Sequence, residues 1–223
     1  MTDSKQQRLN MVESQVRPSD VTDRRIIRAM LEVPREAFVP SALHALAYMD
    51  GPLPLARRAD GGTQRALLAP RTLAKLVQLA QIEPGATVLD VGCATGYSTA
   101  VLARLAKSVV AVEVDAAFAA RAAEALRQLR IDNAEVLRGP LEAGVAARAP
   151  FDAIVLEGAV PDVPQILLEQ LRDGGRLVGV IAAGTFGRAQ IWRRTGKTFD
   201  ARSAFDAGAE PLPGFMRATE FSL

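Results

Sequence analysis

The chain has 223 residues, 49% apolar, 23% charged and only 5% aromatic, with a formal net charge of +2. That is enough apolar chain for one sizeable core, and the composition is not that of a disordered or fibrous protein. No apolar run reaches the roughly 18 residues of a membrane span, and the start, MTDSKQQRLN, lacks the apolar stretch of a secretory leader, so a cytoplasmic location is expected. A single cysteine cannot form an internal disulfide, which fits a reducing compartment. With one histidine beside it, the usual zinc clusters are excluded, and neither a histidine-based triad nor a metal is expected. The basic residues, 27 Lys and Arg against 25 Asp and Glu, are scattered, so a nucleic-acid partner is not expected.

Residues 1–50 read as helical with breaks. Val12, Gln15 and Val16 begin an apolar spacing that Pro18 interrupts. Asp20 or Thr22 is placed to cap a second helix with Ile26, Ile27, Met30 and Leu31 on one face. Pro34 and Pro40 bracket the turn-rich VPREAFVP, and GPLPLARRADGGTQR at 51–65 has the prolines and glycines of a loop and no period. Pro70 is suited to the first turn of a helix with Leu73, Leu76, Val77 and Ala80 as its buried stripe.

From residue 86 the pattern alternates. TVLDVG, SVVAVEVD, AEVLRG, FDAIVLEG and GGRLVGVI read as strands; TGYSTAVLARLA, AAFAARAAEALRQL and VPQILLEQL read as helices. Such alternation predicts right-handed βαβ units in a mostly parallel sheet covered on both faces. Ligands on these sheets bind beyond the carboxyl ends of the strands.

The segment with the most chemistry follows the first of these strands. In VLDVGCATG, Gly92 and Gly96 stand between a strand and a helix, where glycine permits a tight turn and close backbone approach to a ligand. Asp90 precedes the first glycine by two residues, and Glu113 closes the second strand about 20 residues on, where a carboxylate can accept from two ribose hydroxyls. No Lys-Ser/Thr pair closes the loop, which excludes a Walker A phosphate site, and the G-x-G-x-x-G of dinucleotide enzymes is absent.

VLDVGCATG followed by VVAVEVD resembles the class I S-adenosylmethionine-dependent methyltransferases, with Ala94 where the central glycine is commonest. VPREAFVP at 33–40, AYMDGPLPL at 47–55 and FDAIVLEGAVPDVPQILLEQLRDGGRLVGVI at 151–181 then resemble the protein-L-isoaspartate O-methyltransferases, in that family's order. The resemblance spans roughly residues 11–181. It implies an α/β fold of the class I methyltransferase, Rossmann-like type: a mostly parallel sheet with helices on both faces and an N-terminal helical extension. Residues 1–69 would form a helical and loop cap on the substrate site and 70–223 the methyltransferase domain, as one unit overall. The implied activity is protein repair: methyl transfer from S-adenosylmethionine to the isoaspartyl carboxylate of a damaged protein, the ester then collapsing to a succinimide. The implied cofactor residues are Asp90, Gly92, Ala94, Gly96, Glu113 and Gly139, and the implied partner is a protein or peptide.

Three positions depart from the family. Its T-I-S-x-P segment carries a Thr and a Ser in the substrate site; aligned on Pro70, these are Ala66 and Leu68, and Thr63 has the wrong spacing to replace them. At the end of the fourth strand stands Glu157, either an acceptor-side residue that repels an anion or anchors a cation, or a surface or arginine-paired glutamate. After strand three, Pro140 follows Gly139 where the family has an Asp, with Glu142 nearby. These departures leave room for a methyltransferase with another acceptor, or for a non-catalytic cofactor-binding protein. A nucleic-acid amino methyltransferase would need [DNS]-P-P-[YFW] where this chain reads EGAVP. Cys93 reads as a small turn residue, His44 as structural, Trp192 as a strand residue, and Arg57 with Arg58 as a solvated loop tip. FDAGAEPLPGF at 205–215 is a proline–glycine turn cluster.

Overall fold

A computed structural model describes residues 4–57, 59, 61, 63–182 and 187–215, the side chain of Thr63 excepted. Helix α1 (Ser4–Met11) runs into a π-turn, Val12–Val16, and a 3-10 turn, Arg17–Ser19, that ends the helical run at Pro18. Helix α2 (Arg24–Glu32) buries Ile26, Ile27, Ala29 and Met30. Its cap is Asp23, which accepts from the Arg25 backbone N–H, and not Asp20 or Thr22. Gln78 holds the backbone of this turn, donating to the Asp20 carbonyl and accepting from the Thr22 and Asp23 N–H groups. VPREAFVP forms a 3-10 turn at Arg35–Phe38, and His44 lies in another at Ser41–Leu46.

The stretch 51–65 is not a loop. Strands β1 (Leu53–Arg57) and β2 (Thr63–Leu67) form an antiparallel hairpin apart from the main sheet. Its register slips on both sides of Ala56, which breaks the alternation a strand normally shows. Pro54 is tolerated because each strand of a two-stranded ribbon has a free edge, and Leu53 opposite Leu67 anchors the pair in the core. Arg57 is exposed and donates to the Gly61 carbonyl; Arg58 lies outside the described residues.

Helix α3 (Pro70–Ala80) buries the expected stripe. Then follow β3 (Thr87–Val91), α4 (Tyr97–Ala103), β4 (Ser108–Glu113), α5 (Ala116–Gln128), β5 (Ala134–Arg138), β6 (Phe151–Val160), α6 (Gln165–Leu168), β7 (Leu171–Ala182), β8 (Gly187–Thr195) and β9 (Thr198–Asp206). The seven-stranded sheet has the order β5-β4-β3-β6-β7-β8-β9, parallel through β7 and antiparallel beyond it. Trp192 is a residue of β8.

Alternate residues of the sheet feed two cores. Val88, Val155 and Val178 pack with Met11, Met30, Leu73, Tyr97 and Leu126 from the five longer helices. Leu89, Val91, Ile154 and Leu156 pack with Leu141, Leu167 and Leu212, from short turns, α6 and the segment after β9. The expected helix VPQILLEQL is only one turn long. Leu171 already pairs with Phe151 as the start of β7, and Gln170 turns back to bond the Ala143 carbonyl and the Val145 N–H. Among the described residues no helix is long and apolar enough to cross a membrane.

Candidate functional site

The site lies beyond the carboxyl ends of β3, β4 and β6, where the order of the sheet reverses after β3. After Val91 the chain takes left-handed φ angles at Gly92 (78°), Ala94 (48°) and Gly96 (93°). Gly96 must be glycine on two counts: besides its φ, a Cβ there would stand 3.0 Å from Ala122 Cβ on α5. Gly92 admits Leu212, whose Cδ2 would lie 2.7 Å from an added Cβ. Ala94 carries its methyl group in a conformation that costs a non-glycine residue of order 1 kcal/mol. Cys93 is buried against Ala111 and Ala122, and burial pushes its thiol well above the ordinary range. A packed, protonated thiol fits a small turn residue.

Asp90 is fully buried, and one carboxylate oxygen, Oδ2, accepts from Ser98 Oγ at 2.8 Å and Thr99 Oγ1 at 2.6 Å. The other, Oδ1, is buried with no partner, as is Thr95 Oγ1. Burial raises the Asp90 pKa to about 6 against the two hydroxyl donors; Glu113 adds to the rise and Arg65 opposes it. Buried polar atoms without partners are uncommon, and these two lie together at the end of β3 and on the glycine loop. This set therefore fits a polar, hydroxyl- or amine-bearing group lying on the loop.

Glu113 ends β4 and is fully buried. Its Oε1 accepts from the backbone N–H groups of Val114 (2.9 Å) and Asp115 (3.1 Å). Its Oε2 accepts from Ala94 N–H (2.8 Å) and from Arg65 Nη2 (2.6 Å), which also donates to the Gly92 carbonyl at 2.9 Å. Arg65, on β2, was not among the expected site residues; only its position beside the altered T-I-S-x-P segment could have drawn notice. Ser98 and Thr99 were likewise missed, although both lie on the helix that opens at Gly96. Gly139 follows β5, its N–H donating to the Glu113 carbonyl at 3.1 Å.

Glu157 lies on β6, but not in a regular stretch. Between Val155 and Ala159 the strand gains two residues on β7, which pairs there through Val178 and Val180. This bulge, from Leu156 to Gly158, re-aims the side chain, as bulges near sites commonly do. The glutamate is buried, so it is not a surface residue; its Oε1 has no partner, and among the described residues no arginine hydrogen-bonds it. Burial and the nearby Asp90 hold its carboxyl well above the usual range, while Arg65 and Arg35 pull it down.

Ala66 and Leu68 are buried, with Leu68 in the core around α3. The Leu68 carbonyl accepts from Arg35 Nη2 at 2.8 Å, and Arg35 Nε donates to the Ala47 carbonyl at 2.8 Å. The buried arginine of VPREAFVP thereby ties the two N-terminal segments together, its guanidinium 4.6 Å from the centre of the Tyr97 ring. A cleft of roughly 720 Å³ opens beside Ala69, between Asp50, Arg71, Lys75 and the stretch from Phe205 to Glu210. The turn cluster after β9 continues over the sheet: Glu210 accepts from Ala159 N–H, Leu212 donates to the Ala159 carbonyl, and Leu212 is buried against Gly92 and Gly158.

Comparison with known proteins adds a family. The model described as protein-L-isoaspartate(D-aspartate) O-methyltransferase matches residues 6–207. The protein-L-isoaspartate O-methyltransferase of Koribacter versatilis (strain Ellin345) is 35% identical over 207 residues, covering 93% of this chain and 90% of that one. The protein of the same name in Geobacter metallireducens is 40% identical over 171 residues, 77% of this chain and 76% of its own. A solved protein-L-isoaspartate O-methyltransferase superposes with a TM-score of 0.82 at 24% identity, over 93% of this chain and 67% of that one. A putative one from Plasmodium falciparum, in complex with S-adenosyl-L-homocysteine, gives 0.77 at 19% identity, over 96% and 100%. At these identities the two structures speak for the fold alone.

Proposed function

Because the chain belongs to the protein-L-isoaspartate(D-aspartate) O-methyltransferase family, we propose that it methylates the free carboxylate of isoaspartyl residues in proteins, using S-adenosylmethionine. The observation that carries this reading is the family match over residues 6–207, nearly the whole described chain. Another acceptor, or a non-catalytic role, is not favoured, since relatives at 35–40% identity bear the isoaspartyl name.

The residues we assign to the cofactor are Asp90, Gly92, Ala94, Gly96, Glu113 and Gly139. The unpartnered Asp90 Oδ1 suits an amine or hydroxyl donor, and the left-handed turns at Gly92 and Gly96 let the backbone come close to a ligand. When bound, S-adenosylmethionine supplies a methyl group on a sulfonium, already a good leaving group. An isoaspartyl carboxylate with a pKa around 4 is ionised at neutral pH, so no side chain has to remove a proton. The chain's work is then to hold the carboxylate in line and keep water out; orientation of this kind supplies roughly 7–11 kcal/mol.

We assign Glu157 and the 66–69 segment to the acceptor side, with residues 1–69 as its cap. A Glu157 carboxyl held towards its neutral form places little negative charge beside an anionic substrate. Arg35 braces the segment through the Leu68 carbonyl, which supports a fixed wall there even without the family's Thr and Ser. The cleft beside Ala69 is where a peptide chain would approach.

The test is transfer of a labelled methyl group to an isoaspartyl peptide and to its normal aspartyl counterpart. Base-labile label on the isoaspartyl peptide alone is expected. Absence of transfer by a folded protein that binds S-adenosylhomocysteine would refute the acceptor assignment.

A further inference from the structure

The hairpin brings into the site a cation that the chemistry above does not use. Arg65 has its side chain only 5% exposed, and Nη2 grips two groups of the assigned cofactor loop at once: Glu113 Oε2 and the Gly92 carbonyl. A carboxylate offers about four acceptor positions. Glu113 fills two of its own with Val114 N–H and Asp115 N–H, one with Ala94 N–H and one with Arg65. The three N–H donors are backbone groups of the strand end and the glycine loop, and none can leave without undoing β4 or that loop. The fourth donor is different in kind. It is a side chain from a two-stranded ribbon outside the seven-stranded sheet, so it can leave the carboxylate without breaking a strand of that sheet. A ribose diol that donates to Glu113 therefore has one donor to replace, and that donor is Arg65.

We propose that Arg65 is an internal ligand of Glu113: it holds the diol's place while the cofactor is absent and sets cofactor affinity, because binding must displace it. The inference rests on the assignment of Glu113 as ribose acceptor. The buried Arg65 Nε has no partner; among the described residues the guanidinium is held through Nη2.

The prediction runs against the usual effect of deleting a buried ionic partner. Arg65→Met leaves Glu113 its three N–H donors and removes the competitor, so S-adenosylhomocysteine should bind about tenfold or more tightly, the worth of one charge-assisted hydrogen bond. Arg65→Lys keeps the charge but loses the planar fork, and should give a smaller gain, of about threefold. Both gains should collapse to under about twofold in a Glu113→Gln background, because the competition is for that carboxylate. Calorimetric titration of S-adenosylhomocysteine into wild type, both Arg65 variants and the double variants reads all of this without any acceptor. Binding equal to or weaker than wild type in Arg65→Met overturns the proposal. If that variant does not fold, Arg65→Lys decides alone, with equal or weaker binding overturning it. Failure of the wild type to bind S-adenosylhomocysteine at all would instead sink the functional reading, so the two failures are distinct.

Discussion

Replacing Asp90 by Asn should stabilise the ligand-free protein, and do so only above acid pH. The carboxyl is buried beside Glu113, and its pKa rises from 3.8 to about 6. Between those values the folded chain binds a proton that the unfolded chain releases. The associated stability is fully present below pH 3.8 and is lost as the pH rises through about 6. Two pH units at about 1.4 kcal/mol each make this roughly 3 kcal/mol. Asparagine keeps an oxygen to accept from Ser98 and Thr99 but has no proton to lose. The melting temperature of the variant minus that of wild type should therefore climb between pH 4 and pH 7.5. At about 2–4 °C per kcal/mol for a chain of this size, the climb is about 6–12 °C. Scanning calorimetry on both proteins across that range measures it. A difference that stays flat to within about 2 °C, or that shrinks as the pH rises, would refute the reasoning. Saturating S-adenosylhomocysteine should reverse the order, raising the wild type more than the variant, because the ligand gives Asp90 Oδ1 the partner it lacks.

Glu157→Gln copies the neutral form of the buried glutamate. Because that pKa is raised, wild-type kcat/KM for an isoaspartyl peptide should fall as the pH climbs and ionises Glu157 next to an anionic substrate, while the variant stays level; parallel profiles would dismiss this role. Gly96→Ala meets both a φ of 93° and the Ala122 Cβ at 3.0 Å. It should lose at least about 2 kcal/mol in urea unfolding, and a loss under about 0.5 would contradict the packing argument. Restoring the family hydroxyls divides in two: Ala66→Thr should lower KM for the peptide, by up to about tenfold for one charge-assisted hydrogen bond. Leu68→Ser should cost about 2–4 kcal/mol of stability, since it empties a core position; an unchanged KM and an unchanged melting temperature would refute the respective halves.

The parallel sheet and the carboxylate–glycine loop are legible in the order of residues alone. Strands such as TVLDV and SVVAVE are continuous apolar runs closed by turn residues, and helices such as Pro70–Ala80 keep a 3.6-residue stripe. Each pattern is local, because the face a residue presents follows from its place in its own element. The same locality made Asp90 and Glu113 legible: both sit at strand ends followed by a turn. What those elements receive from far along the chain emerges only once they pack. The hairpin at 53–67 has a slipped register and no apolar period. It exists because Leu53 and Leu67 find a core made by the helices. Asp23 rather than Asp20 caps α2, in a turn whose backbone is held by Gln78, 58 residues from Asp20. The helix after Pro164 stops after one turn because Leu171 is drawn into pairing with Phe151. Glu157 became an interior acid through a bulge that only the pairing with β7 defines. Arg65 reached Glu113 across 48 residues of sequence. Sequence patterns record the surface each element must bury, whereas charges and hydrogen bonds between distant segments depend on how those surfaces dock, and no local period encodes that.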